Sequence, residues 1–281
     1  MSGGRATPRP KQPSKLRTTI GMIVVAIAVV YALIAMGADW SRLPLLVTDL
    51  PRYLGLMAGG VWQNPFAEPA SGYWVSAWEY TLESLQMAWI GTLIGAVISF
   101  PIAFLAARNT APLPVVLVVR QILNAIRAMP ELVLAIALMM PIFGFGPLAG
   151  ALALGVGAVG TLGKLSSEAI EGIDVGPVEA ANAVGATQLQ VVRWGIVPQV
   201  LPEIIAFWLY RFEINIRASA ILGILGAGGV GEILNQLFQR RDWERIGVTL
   251  LVIILATILI DQVSAAVRHR VIAGVPNRRG G

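Results

Sequence analysis

Cysteine is absent from the 281 residues, which excludes a disulfide scaffold and thiolate metal sites. Histidine occurs once, as His269 between Arg268 and Arg270, where it reads as an interfacial cation rather than a metal ligand. No cluster with metal-ligand spacing is present, and no GxxxxGK[ST] loop, so no P-loop cradles a nucleotide phosphate in this chain. Charge is scarce too: 13% of the residues are Asp, Glu, Lys or Arg, where a soluble domain carries about 25%. No signal-peptide cleavage site follows the first apolar run, which is therefore expected to be retained as a span.

What fills the chain instead is apolar. Hydrophobic residues make up 56% of it, with a mean hydropathy of +0.71. The fold class expected is an all-α integral membrane protein of about six transmembrane helices. The spans are expected at about 18–37, 83–106, 119–141, 146–167, 203–222 and 246–267. Residues 1–17 read as a polar N-terminal arm, 38–79 as an external loop with interfacial tryptophans at 40, 62, 74 and 78, and 271–281 as a polar tail. The net charge of +5 and pI near 10 do not point to nucleic acid, because the cations flank the apolar runs. Five Lys/Arg in the arm (Arg5, Arg9, Lys11, Lys15, Arg17) and four after the last span (Arg268, Arg270, Arg278, Arg279), against two in the 38–79 loop, are expected to hold both termini in the cytoplasm. Arg240, Arg241 and Arg245 run against that count, partly offset by Asp242 and Glu244.

Ionisable residues inside spans are costly and face bundle interiors or wet cavities. The fifth span carries Arg211, Glu213 and Arg217. Glu213 and Arg217 stand four apart and are expected to pair, leaving Arg211 to seek Glu131 or Asp261 elsewhere. The set reads either as a cationic lining for an anion pathway or as a structural ion-pair network. The segment Arg127-Ala-Met-Pro130-Glu131-Leu132 is expected to kink the third span. After the fifth span, Gly226, Gly228, Gly229 and Gly231 read as a gate, hinge or tight helix crossing, since the helix before them does not suit a dinucleotide-binding strand.

Between the fourth and fifth spans, residues 168–202 form a polar insert with its own helix punctuation. Gly176 is expected as N-cap, Pro177 as first helical residue, and Glu179 as third, its carboxylate reaching back to a free N–H. Gly185 is expected to stop this helix in a left-handed conformation, Thr187 and Gln190 to form a capping box, and Pro198 to end or kink the second helix. With Glu179, Ala180, Ala181, Gly185 and Pro198 at these spacings, the insert resembles the cytoplasmic loop of ABC importer permeases, whose pattern is E-A-A, three residues, G, nine residues, I, one residue, L-P. The isoleucine position here holds Gly195, with Ile196 beside it, and the leucine position holds Val197.

Several further strings resemble the phosphonate branch of these permeases. They are Glu83-Ser-Leu-Gln-Met-Ala88 with Gly91-Thr92, Leu105-Ala-Ala-Arg-Asn109, Arg127 to Leu132, Gly163-Lys164 through Glu168-Ala-Ile-Glu171, and Ile216-Arg217-Ala-Ser-Ala-Ile-Leu-Gly223. The resemblance covers about residues 80–270 and implies a type I, methionine-permease-like ABC importer fold in a bacterial inner membrane. It implies a transport subunit rather than an enzyme, paired with a second copy of itself and with ATPase subunits that bind the ATP and Mg this chain does not. An external phosphonate-binding protein would deliver the substrate. Permeases of the same fold for methionine or alkanesulfonate, a membrane enzyme using Glu131 and Asp261, and a passive channel are the alternatives.

Overall fold

The computed structural model describes residues 15–273, which divide into two compact units between Arg52 and Tyr53. Most of the N-terminal arm and the tail cations Arg278 and Arg279 lie outside the described residues. Every extended element among the described residues is helical. The elements are α1 (Lys15–Ala35), α2 (Leu45–Trp62), α3 (Ala70–Ala106), α4 (Leu113–Ala128), α5 (Glu131–Phe143), α6 (Pro147–Glu171), α7 (Gly176–Ala183), α8 (Gln188–Ala227), α9 (Gly229–Arg240) and α10 (Trp243–Ala273). Among the described residues, five helices are long and apolar enough to cross a membrane, and six if α4 and α5 count as one broken span.

In the first unit α1 is the apolar helix expected at 18–37. In the second unit α3 and α6 lie against each other along most of their length, and α8, α10 and α4 pack around the pair. Small residues make this contact close, as membrane helices require where no hydrophobic drive separates helix from lipid. A Cβ on Gly91 would stand 2.8 Å from the Cβ of Leu154. One on Gly155 would stand 3.0 Å from Ile94, so neither position has room for a side chain. Ala88, Ala96 and Ala103 of α3 and Ala151, Leu154, Ala158 and Leu162 of α6 are all buried.

The segment 38–79, expected as a loop, is largely helical. Its prolines do not prevent this: Pro44 and Pro69 stand just outside helix starts and Pro51 lies within α2. The second span accordingly begins at Ala70 rather than near 83 and runs for 37 residues. From Tyr53 onward α2 packs on the start of α10, with Tyr53 and Trp243 rings 4.6 Å apart and Gln63 donating to Glu244 at 2.9 Å.

The third span departs furthest from expectation. Instead of a kink, α4 and α5 meet at 87°. Met129 precedes a proline and so leaves the helical region (φ −88°, ψ 119°), and Pro130 follows it extended (φ −60°, ψ 139°). Two consecutive extended residues turn the chain fully, where a proline alone would only bend it. Pro198 shows the reverse outcome. The second helix of the 168–202 insert does not end there but runs on into the fifth span as α8. Its turns at Val191–Ile196 widen to π-helix just before the proline, so the ring is taken into a loosened ladder without breaking it.

Candidate functional site

The insert folds as a compact helix pair whose ends are all satisfied locally. α7 begins with Val175 rather than Gly176 as N-cap, placing Gly176 and Pro177 in its first two positions. The Gly176 N–H donates to Asp174 Oδ1 at 2.9 Å. Glu179 lies in the first turn, where its charge suits the helix dipole. Its carboxylate does not reach back to a backbone N–H as expected, because Asp174 already occupies that helix end; Glu179 is exposed. Gly185 is left-handed, φ +80°. Its N–H donates to Asn182 O at 3.0 Å and that of Ala186 to Ala181 O at 3.1 Å, the two bonds of a Schellman motif. Thr187 then donates its backbone N–H to Gln190 Oε1 at 2.8 Å, completing the expected capping box.

The pair has a seated face and an open face. Val178, Val192 and Ile173 pack on Ile170, Ile196, Val200, Ile204, Ala103 and Ala107, where α3, α6 and α8 converge. Gly195, at the family's isoleucine position, is buried against α7, where a Cβ would meet Val178 Cα at 3.5 Å, an ordinary van der Waals contact. On the open side stand Val175, Glu179, Ala180, Val184, Leu189, Trp194 and Pro198. Val184 is 84% exposed, Leu189 78% and Trp194 68%.

Two polar clamps hold the insert to the bundle, and only part of them was marked in the sequence. Glu171 Oε1 accepts from Arg120 Nη2 at 2.6 Å and from the Arg108 N–H at 2.7 Å. Asn109 Nδ2 donates to Ile170 O at 2.6 Å, and Arg120 Nε to Ala106 O at 2.8 Å. Arg108, Asn109 and Glu171 lie in the strings noted above; Arg120 carries no local signal. The second clamp is Gln199, which accepts from the Asp174 N–H at 3.1 Å and donates to Asp174 O at 3.1 Å and Gly195 O at 2.6 Å. It ties the first turn of the insert to the helix that leaves it, an arrangement no sequence pattern announces.

The charges in the spans sort differently from expectation. Arg211 of α8, 6% exposed, pairs at 2.5 Å with Glu131, the first residue of α5. A Cβ on Gly157 would come 2.8 Å from Glu131 Cγ and 3.3 Å from Arg211 Nη2, so the bare backbone of α6 gives the pair its space. Asn215, one turn on from Arg211, donates to Thr92 Oγ1 at 2.9 Å. Glu213 does not pair with Arg217. It takes Arg268 of α10 at 2.5 Å, because Glu213 faces the helix packed alongside while Arg217 is exposed and has no ion-pair partner among the described residues. Glu131 is therefore held by Arg211, and Asp261 keeps a buried Oδ1 without a hydrogen bond, so the two do not form a carboxylate dyad.

The glycine run forms a tight turn between α8 and α9. Gly226, Gly228 and Gly229 have φ of +95°, +85° and +69°. A Cβ on Gly231 would run into the carbonyl of Ala220, so the two helices cross at backbone contact. Ser84 of α3 accepts the Val230 N–H at 2.9 Å, and Glu83 abuts Gly228. This corner is thus also a packing junction for α3.

The second unit is thus an apolar helical bundle with a broken span and, at one end, a helix pair with exposed apolar residues. The chain belongs to the family of binding-protein-dependent transport system inner membrane components, whose profile matches residues 99–273. It is 39% identical over 248 residues to the phosphite transport system permease protein PtxC of Stutzerimonas stutzeri, covering 86% of this chain and 87% of that one. It is 36% identical over 191 residues to the phosphate-import permease protein PhnE of Mycolicibacterium smegmatis, covering 68% of this chain and 36% of that one. Among solved structures, the inward-facing MetNI methionine ABC transporter superposes with a TM-score of 0.64 at 25% identity, covering 73% of this chain and 99% of that one. The fold is that of an ABC importer permease.

Proposed function

We propose that this chain is the membrane-spanning subunit of an ATP-driven importer for a phosphorus oxyanion, a phosphonate or phosphite, across the bacterial inner membrane. The observation that carries the coupling half of this reading is the helix pair at Gly176–Pro198, clamped to three bundle helices and open on its apolar outer face. ATPase subunits dock on that face and bind the ATP and Mg. Closure of the ATPases moves the helix pair as a rigid body and, through the clamps, rocks the spans of two copies of this chain between inward- and outward-open states. A separate binding protein delivers the anion from outside. The N- and C-termini lie with the helix pair on the cytoplasmic side, as the positive-inside count requires. The substrate half rests on the names of the relatives at 36% and 39% identity.

Within the spans, Arg211, Glu131, Glu213 and Arg268 act as structural pairs that hold helices together, leaving Arg217 free of that duty. The test is growth of a deletion strain, lacking any second uptake system, on a simple alkylphosphonate as sole phosphorus source. Wild type restores growth and Gly185→Leu does not, because a side chain at φ +80° costs about 1–2 kcal/mol and unseats the loop turn. Full growth with Gly185→Leu would overturn the coupling role; growth of the deletion strain itself would overturn the substrate.

A further inference from the structure

α4 carries a polar flank that its neighbours in the fold leave unused. Gln121, Asn124 and Arg127 recur every three residues along it, all exposed and without hydrogen-bond partners among the described residues. A helix flank facing hydrocarbon cannot hold such a row cheaply: an arginine at mid-bilayer costs about 2.5–3.5 kcal/mol even by the gentler measures.

The depth of Arg127 follows from two rulers. Arg127 packs on Gly160 of α6, where a Cβ would stand 3.0 Å from Arg127 Cγ and 3.1 Å from its backbone N. Gly160 lies 13 residues from Pro147 and 11 from Glu171, about 20 and about 16 Å from the two ends of α6 at about 1.5 Å per residue. Along α4, Arg127 is 14 residues from Leu113, about 21 Å, and seven from Arg120, whose side chain reaches Glu171 at the end of α6. Both place it near the middle of about 30 Å of hydrocarbon. The 87° break directly above it ends α4 there, so the guanidinium is presented at the point where the span is interrupted. Arg211, at a similar depth, is buried and already neutralised by Glu131.

We propose that the Gln121–Asn124–Arg127 flank of α4 lines a water-filled route from mid-membrane to the end of the bundle that bears the helix pair, with Arg127 as the cation that meets a compact tetrahedral oxyanion. The guanidinium fork matches two oxygens of such an anion, and the amides of Asn124 and Gln121 offer further donors on the way out. The proposal rests on the importer reading for the anion, but the route itself is testable without it.

The chain has no cysteine, so single cysteines introduced on α4 report cleanly in membranes carrying the assembled transporter. Asn124→Cys reacts with the anionic reagent methanethiosulfonate ethylsulfonate, and Ile122→Cys, about 200° around the helix, does not. Exchanging Arg127→Gln lowers the anionic-to-cationic reagent rate ratio at Asn124→Cys about 10-fold or more, and Arg127→Lys restores it. Millimolar methylphosphonate slows the anionic reaction when Arg127 is present. An Asn124→Cys as inert as Ile122→Cys overturns the route. A reagent ratio indifferent to Arg127→Gln overturns the role of that residue. If wild-type transporter carries no phosphorus oxyanion yet Asn124→Cys shows the Arg127-dependent preference, the route stands and the substrate falls.

Discussion

Single residues decide whether charge inside this bundle is tolerated. Arg211, 6% exposed, is paired with Glu131, whose side chain is 33% exposed. Removing one partner strands the other, which costs about 3–5 kcal/mol in a buried pair, whereas replacing both with apolar residues of similar size is often close to neutral. Glu131→Leu and Arg211→Met alone should therefore each lower the thermal midpoint of the detergent-purified transporter, and the double variant should recover most of the loss. Additive losses in the double variant would show that the two do not act as a pair. Much at this scale was legible beforehand. Gly185, Thr187 and Gln190 behave as their local chemistry dictates, because turn and cap preferences need no knowledge of the rest of the chain. Arg211 was visible as a charge seeking a partner, but its choice of Glu131 over Asp261 depends on the gap left by Gly157, which only packing reveals. The Glu213–Arg217 expectation failed for the same reason. Spacing of four puts two residues on one face, but a neighbouring helix that brings Arg268 to that face competes better.

At the scale of elements, breaks and clamps matter more than the helices themselves. Apolar runs announced where spans lie, yet they could not distinguish a kink at Pro130 from a right-angled break, nor foresee that π turns at Val191–Ile196 carry α8 past Pro198. Both outcomes depend on whether neighbouring packing supports the displaced backbone. The 37-residue α3 was likewise foreshortened in expectation, since Pro69 marks a helix start and not a loop. Gln199 is the clearest case of an element-level device with no sequence signature, fastening Asp174, just ahead of α7, to α8. Replacing it by alanine should leave the bundle assembled with its ATPase, because it lies outside the buried core, and should separate ATP hydrolysis from uptake. At least a severalfold fall in anions moved per ATP hydrolysed is expected, with Gln199→Glu recovering only the part that an acceptor alone supplies. An unchanged ratio in Gln199→Ala would mean the insert moves as one body without this fastening.

At the largest scale, the second unit carries its helix pair at one end and its closest helix packing between α3 and α6. Tight α3–α6 packing through Gly91, Gly155 and their alanine neighbours forms a stiff centre. The broken span and the glycine corner at Gly226–Gly231 are where the backbone departs from helix. The clamps at Glu171 and Gln199 join that centre to the open helix pair. A load applied to Val184, Leu189 and Trp194 thus has a bonded route into α3, α4, α6 and α8. The most direct check is uptake of radiolabelled methylphosphonate into proteoliposomes holding this chain, its ATPase and its binding protein, with and without enclosed ATP, and with methionine as the competing solute. ATP-dependent accumulation of the phosphonate, unaffected by excess methionine, is the outcome expected here. Accumulation without ATP, or of methionine in preference to phosphonate, would contradict it.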